Sequence, residues 1–88
     1  MHVKLGGKRY KLRFADLSHT EKVGDVDSPE EPGKEIRIHK GLSGERQLEI
    51  IIHECMHVFD WKKDEEFIDS EAKELSRILW RLGYRKTE

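Results

Sequence analysis

Two histidines one helical turn apart are the residues of this chain best suited to chemistry. His53 and His57 are four positions apart, so on a helix both imidazoles project from one face and can hold a single Zn²⁺ ion. Glu54 follows the first histidine directly, and its carboxylate can take a proton from a zinc-bound water molecule. These residues form the HExxH pattern of zinc hydrolases, which predicts metal ligands at His53 and His57 and a catalytic Glu54.

The pattern requires a helix, and the flanking sequence predicts one. Ser43 is the expected N-cap, and Glu45 suits the positive end of the helix dipole. Apolar side chains then recur at helical spacing, at Leu48, Ile51, Ile52, Cys55, Val58 and Phe59. We therefore expect a helix over about residues 44–61, with the Cys55 thiol buried on its apolar side.

A catalytic zinc ion usually has three protein ligands and one open position, so a third ligand is needed from elsewhere in the chain. No histidine follows His57, which leaves the downstream carboxylates as candidates. We expect Glu65 to be this ligand, with Glu71 and Glu66 as the alternatives. Asp60 lies on the same helical face as His57 and suits an acceptor that orients its imidazole.

A second helix is predicted directly after the first. Asp64 can cap it and Gly83 can end it, which gives a helix over about residues 65–82. A seam at alternating spacings of three and four consists of Glu65, Ile68, Ala72, Leu75, Leu79 and Leu82. Because the connection is short, the seam predicts antiparallel packing against the motif helix.

The first part of the chain predicts a small sheet. Gly6 and Gly7 fit a two-residue turn between strands at residues 3–5 and 8–14, and residues 34–39 form a further strand after a long loop over residues 15–33. The hairpin has a basic face, from Lys4 to Arg13, that could touch phosphates, but the solvated side of a sheet is the simpler explanation and the one we favour. We expect an α+β fold in which this short sheet packs on the antiparallel helix pair.

Composition fits one small domain with a thin core. The chain has 88 residues, of which 35% are hydrophobic and 40% charged, so a bound metal would add folding free energy that the core lacks. Its net charge of -1 selects neither nucleic acid nor an acidic membrane as partner. The lone cysteine, and the absence of a signal-like or membrane-spanning apolar run, lead us to expect a soluble, cytoplasmic protein.

Residues 34–86 resemble small phage-encoded HExxH metallopeptidases, and His53 to Trp61 is similar to the SprT/Spartan-like minimal zincins. The resemblance rests on the motif helix, the short connection, the acidic start of the next helix and a basic aromatic ending, Leu79, Trp80, Arg81, Leu82, Gly83, Tyr84 and Arg85. In SprT-like proteins the third ligand is a histidine at the start of the next helix, where this chain has Glu65 or Glu66. The resemblance implies one zincin-like domain over residues 1–88.

It also implies a zinc-dependent peptidase in which Glu54 acts as general base. The strand at residues 35–39 would then flank the cleft and pair with an extended peptide or protein substrate. Separately from the resemblance, Tyr84 or Arg85 is a candidate to assist the oxyanion, although no spacing argument selects either. One alternative is a structural or regulatory zinc domain, with Asp60 or His39 as fourth ligand and a partner or nucleic acid on the basic hairpin. The other is hydrolysis of a cell-wall amide, which the motif also permits.

Overall fold

Four strands form one mixed sheet, the first helix packs on one face of it, and the second helix packs against the first. The structure is a computed structural model and describes residues 1–87. The elements in chain order are β1 (His2–Leu5), β2 (Lys8–Ala15), β3 (Gly24–Val26), β4 (Glu35–His39), α1 (Gly44–Phe59) and α2 (Glu65–Arg81). The strand order is β1-β2-β4-β3, with β2 and β4 parallel and the two outer pairs antiparallel. The expected α+β architecture of a small sheet on a helix pair is confirmed.

The predicted hairpin is confirmed. Gly6 and Gly7 have φ angles of 58° and 77°, which a turn of this type requires at both positions and which only glycine adopts without strain. In the resulting register Val3 pairs with Tyr10, and Lys4 pairs with Arg9. Successive pairs therefore alternate between the face toward the helices and the face toward solvent.

The prediction of one long loop over residues 15–33 is wrong, because this segment contains β3. Gly24 to Val26 pairs with β4 and forms one edge of the sheet. The strand at residues 35–39 therefore lies between β2 and β3, and the open edge that we expected for it belongs to β3 instead. A three-residue strand is too short to give an alternating pattern, so the sequence contains no signal for it.

The core lies between the sheet and α1. Tyr10, Leu12, Ile36 and Ile38 alternate with exposed or half-buried residues along β2 and β4, and they pack against Ile50 of α1. Cys55 packs at the margin of this core, and its burial raises the pKa of the thiol. Cys55 is half-buried, so the expectation of a buried thiol is only partly correct.

The helices are antiparallel: Gly44 at the start of α1 lies beside Trp80 near the end of α2, and His57 near the end of α1 lies beside Glu65. Asp64 caps α2 as predicted, since its Oδ1 accepts a hydrogen bond from the Glu66 amide at 2.9 Å. Ser43 stands at the N-cap of α1, but its side chain makes no capping hydrogen bond.

Gly83 ends α2 as predicted. Its φ is 96°, its amide donates to the Trp80 carbonyl, and the Tyr84 amide donates to the Leu79 carbonyl. This is the paired hydrogen bonding of a glycine-terminated helix, which satisfies carbonyls left free by the end of the helical ladder.

The seam predicted for α2 is only partly correct. Ile68 and Ala72 are fully buried, but Ser76 takes the next buried position, while Leu75 and Leu82 of the seam are 44% and 69% exposed. The buried positions are four residues apart and follow a ridge that is inclined to the helix axis. Because the two helices cross at an angle, α1 contacts Ser76 on this ridge and not Leu75. None of the helices in residues 1–87 is both long and apolar enough to span a bilayer.

Candidate metal centre

The C-terminal half of α1 places both motif histidines on one face, at the end of the groove between the two helices. Nε2 of His53 lies 3.2 Å from Nε2 of His57, and the two ring planes meet at 60°. His53 is almost completely buried and His57 is half-buried. Both rings therefore turn their Nε2 atoms toward one point rather than into separate surroundings.

Glu65, the first residue of α2, brings a carboxylate to the same point. Its Oε1 lies 2.7 Å from Nε2 of His53, and its Oε2 lies 2.9 Å from Nε2 of His57. The short connection between the helices turns the chain back at the level of His57, so the carboxylate spans both rings. Of the three carboxylates considered as third ligand, Glu65 is the one that the fold brings to the histidines.

The donor set fits a zinc ion. One ligand atom from each of His53, His57 and Glu65 lies within 4.8 Å of the others. Two nitrogens bound at about 2.0–2.1 Å to one tetrahedral ion are separated by about 3.3 Å, close to the observed 3.2 Å between the imidazoles. The carboxylate oxygens of Glu65 lie closer, at 2.7 and 2.9 Å, which are hydrogen-bond distances, so the exposed Glu65 side chain must move outward by about 0.5 Å to admit an ion. Two imidazoles and one carboxylate are also the ligand types of a three-coordinate catalytic site that keeps one position open.

The other residues considered as ligands lie elsewhere. Nζ of Lys63 lies 2.7 Å from Oε1 of Glu71, and the exposed Glu66 side chain makes no contact with either histidine. Asp60 is the exposed C-cap residue of α1 and makes no hydrogen bond with His57 among the described residues. His39 accepts a hydrogen bond from the Leu17 amide at 3.1 Å, away from the helix groove.

The second nitrogen of His53 points toward Asp69. Nδ1 of His53 is buried and has no hydrogen-bond partner in residues 1–87, while Oδ1 of Asp69 lies 3.8 Å away. This distance is too long for a hydrogen bond, but Asp69 stands one helical turn after Glu65 on the same helix. Asp69, rather than the expected Asp60, is thus the carboxylate placed to orient an imidazole, and the imidazole is that of His53.

Glu54 lies beneath the edge strand β3. Burial raises the pKa of its carboxyl group to about 7, with His53 opposing the shift and Glu65 and Asp25 adding to it. A Cβ atom at Gly24 would lie 3.1 Å from Oε2 of Glu54 and 2.8 Å from a methyl carbon of Ile50. The absence of a side chain at Gly24 therefore allows the β3 backbone to approach the Glu54 carboxylate closely.

A cavity of about 450 Å³ opens between β3 and the helix groove. Its lining includes all three motif residues and Glu65, together with Lys22 and Asp25 on the β3 side and Trp61 after α1. Because β3 is an edge strand, one row of its backbone amide and carbonyl groups is not paired within the sheet. The cavity thus combines potential ligands, a buried carboxyl group and an open strand edge.

Tyr84 and Arg85 do not belong to this cavity, so their expected role at an oxyanion is wrong. They line a separate cavity of about 590 Å³ beside the N-terminal half of α1, with Trp80 and Leu48. The Arg85 guanidinium stacks 3.4 Å from the centre of the Trp80 ring. The tail after α2 returns to the start of α1, at the opposite end of that helix from His57.

The basic hairpin face lies on the side of the sheet away from the helices. Lys4, Arg9 and Lys11 are exposed, and no carboxylate of residues 1–87 forms an ion pair with them. Glu35, which stands opposite Lys11 in the register, instead contacts Arg13 and Arg37. Nucleic-acid binding by this face stays a prediction.

Sequence reasoning missed three residues around the histidines, and it considered Asp69 only as one of the downstream carboxylates that could be a ligand, not as a partner of His53. Asp69 lies one turn after Glu65, a spacing that could have indicated it. The pairing of β3 with β4 brings Lys22, Gly24 and Asp25 to the cavity, and no local sequence pattern predicts this pairing.

Comparisons of the chain with protein-family models, with curated proteins and with solved structures gave no match.

Proposed function

We propose that this chain is a zinc-dependent peptidase that cleaves peptide bonds with a metal-activated water molecule. The observation that carries the proposal is the convergence of His53, His57 and Glu65 on one point beside the buried Glu54 carboxyl group. Three donors leave one coordination position open, which a hydrolytic site needs and a structural zinc site does not have. The resemblance of the motif region to minimal zincins supports the same activity.

His53 and His57 would hold the ion with their Nε2 atoms, and Glu65 with a carboxylate oxygen. When bound, zinc supplies a Lewis acid that polarises the scissile carbonyl and activates water for attack. Glu54 accepts the proton of that water as general base and later returns it to the leaving amine. The Glu54 carboxylate lies in the wall of the cavity beside His53, and this position supports the role.

The edge strand β3 supports a peptide as the substrate class. An extended peptide can add to a free strand edge through main-chain hydrogen bonds, which gives affinity without strict sequence selection. Lys22 and Asp25 flank this edge and would contact the substrate near the reacting bond. Little surface is left for specificity pockets in a chain of this size, which favours an undemanding or highly specialised substrate.

The rival function, a structural zinc domain, requires a fourth protein ligand. Asp60 and His39 were the candidates, but Asp60 caps α1 and His39 is bonded to the Leu17 amide. The described residues therefore favour an open site over a closed one. We further propose that the protein acts in the cytoplasm, where its single cysteine would remain a thiol.

The deciding experiment measures zinc content and peptide hydrolysis on the same preparations. Wild type should bind one zinc ion and cleave an unfolded protein such as reduced casein. Glu54→Gln should keep the zinc and lose about 10²–10⁴-fold in rate, because it removes the general base alone. His57→Ala and Glu65→Ala should lose both zinc and activity, whereas Glu71→Ala, a carboxylate held by Lys63, should keep both.

Three results would contradict the proposal. Full hydrolysis by Glu54→Gln would remove the assigned base. Zinc retained by Glu65→Ala but lost by Glu71→Ala would move the third ligand. A zinc-loaded wild type that cleaves cell-wall fragments but no peptide would make the chain an amide hydrolase of the cell wall instead.

A further inference from the structure

One face of α2 carries four large apolar side chains that are open to solvent. Phe67, Leu75, Ile78 and Leu82 are 64%, 44%, 55% and 69% exposed. At about 100° per residue, these positions fall within an arc of about 80° on the helix surface. We call this set the α2 stripe. Leu75, Ile78 and Leu82 are neighbours on this face, whereas Phe67 is separated from them by Glu71, which lies in the middle of the arc with its Oε1 2.7 Å from Nζ of Lys63. A patch of neighbouring exposed apolar side chains marks an interaction surface.

The charged residues of α2 change sign along the helix. Glu71 and Glu74 stand in its middle part, with Lys73 between them and paired with Asp69 at 3.5 Å, and Arg77 and Arg81 follow toward its C-terminus. Glu71 is held by Lys63 of the same chain, but Glu74, Arg77 and Arg81 form no ion pair within residues 1–87. Two parallel copies of this helix would place like charges together, whereas two antiparallel copies would place Glu74 beside Arg77.

We infer that the α2 stripe is the interface of a two-fold symmetric homodimer in which the two α2 helices are antiparallel. Leu75 then lies near the two-fold axis, and Phe67 of one copy lies opposite Leu82 of the other. The same surface patch serves both copies, as a closed two-fold interface requires. A second copy of this chain fits better than an unrelated partner, because the charge order of the helix is complementary to its own reverse.

The interface leaves the candidate metal centre accessible. None of the four stripe residues lines the cavity that contains His53, His57 and Glu65. Dimerisation is therefore independent of the proposed zinc-dependent peptide hydrolysis, and a monomeric variant should keep its zinc. The inference can be tested whatever the outcome of the activity assays.

Sedimentation velocity over a dilution series of the full chain gives the first test. Wild type should show a concentration-dependent equilibrium between monomer and dimer. Ile78→Glu should raise the dissociation constant at least about tenfold, because symmetry introduces the buried charge twice. Phe59→Glu is the matched control, since Phe59 is a 65% exposed apolar residue outside the stripe, and its dissociation constant should be that of wild type.

A charge exchange tests the orientation. Glu74→Arg and Arg77→Glu should each weaken the dimer about threefold to tenfold, and the double variant should recover wild-type affinity. In a Cys55→Ser background, Leu75→Cys should form an intermolecular disulfide under mild oxidation. Lys73→Cys, which is exposed on the same helix outside the stripe, should not.

Four results would overturn the inference. These are a wild type that stays monomeric at every concentration, a dimer that Phe59→Glu disrupts as strongly as Ile78→Glu, a double charge variant without recovery, and equal crosslinking at positions 73 and 75. Circular dichroism of each variant shows whether it is folded. If Ile78→Glu is unfolded, Ile78→Ser replaces it in the same comparison.

Discussion

Nδ1 of the buried His53 lies 3.8 Å from Oδ1 of Asp69, and no other described group offers this nitrogen a hydrogen bond. The two residues lie on different helices, so this gap crosses the groove between α1 and α2. An imidazole that binds a metal through Nε2 carries its proton on Nδ1, and a carboxylate that accepts this proton fixes the ring orientation. A small shift of the Asp69 side chain would form that bond.

The first prediction concerns this pair. Asp69→Ala should lower zinc affinity about 10–100-fold, because the His53 ring loses its orienting acceptor. Competition with a chromophoric chelator measures the affinity. Lys73→Ala is the control, since Lys73 contacts the same carboxylate at 3.5 Å but not the histidine, and its zinc affinity should stay near that of wild type. An unchanged affinity in Asp69→Ala would show that Asp69 has no role at the site.

The second prediction concerns the close approach of β3 to α1. In Gly24→Ala the new methyl group would lie 2.8 Å from Ile50 and 3.1 Å from the Glu54 carboxylate, so β3 must move away from the helix. We expect unfolding free energy to fall by about 1–3 kcal/mol and peptide hydrolysis to fall more than zinc affinity. Urea unfolding and parallel activity and zinc assays measure these changes.

Gly33→Ala is the matched control for this substitution, because nothing lies within 4 Å of a Cβ atom built there. Its stability and activity should remain at wild-type level. Equal loss in both variants would mean that general backbone effects, and not the contact with Glu54, explain the result.

The third prediction follows from the ion pair between Asp27 and Arg37. Nη2 of Arg37 lies 2.6 Å from Oδ1 of Asp27, and hydrogen bonding to this guanidinium lowers the pKa of the Asp27 carboxyl group from its usual 3.8. A lowered pKa in the folded state means that the ion pair stabilises the fold above about pH 4. This contribution disappears as the pH falls through the lowered pKa of the folded state.

Asp27→Asn should therefore reduce the free energy of unfolding by about 1–2 kcal/mol at pH 7, and the difference from wild type should shrink in strong acid. Urea unfolding over a pH series measures both quantities. Glu30→Gln, a change at an exposed acidic residue of the same loop, should have little effect at any pH. A difference that persists undiminished at low pH would rule out the ion pair as its cause.

The fourth prediction concerns removal of the metal. Zinc at 100 times its dissociation constant should raise the free energy of unfolding by about 2.7 kcal/mol, so chelation should lower the melting temperature. His57→Ala should melt at the same temperature with and without zinc. Glu54→Gln should keep the full zinc-dependent shift, because it is not a ligand. Differential scanning calorimetry measures the shift, and its absence in wild type would argue against a metal site.

The sequence predicts those parts of the fold that are encoded locally. Gly6-Gly7, Asp64 and Gly83 act through their own backbone geometry or a hydrogen bond to a near neighbour, and each takes its expected role. The placement of Glu65 beside His57 also follows from local information, because the end of α1 and the short connection determine it. His53, Glu54 and His57 could be predicted together as site residues because they lie within five positions of one helix.

The remaining features depend on contacts between distant segments. β3 has three residues and is defined only by its pairing with β4, so neither it nor the position of Lys22 could be derived from periodicity. The side of α2 that is buried depends on how α2 crosses α1, and this crossing buries Ser76 rather than Leu75 between the two helices. Tyr84 and Arg85 were misplaced because Gly83 directs the tail to the start of α1.

The three potential ligands lie close together in the chain as well as in space. His53 and Glu65 are only 12 positions apart, whereas the parallel pairing of β2 with β4 joins residues that are 24 positions apart, such as Lys11 and Glu35. Closing a short loop costs less conformational entropy than closing a long one. An ion could therefore hold the two helices together early in folding, before the slower parallel strands meet, and zinc would then accelerate refolding as well as stabilise the product.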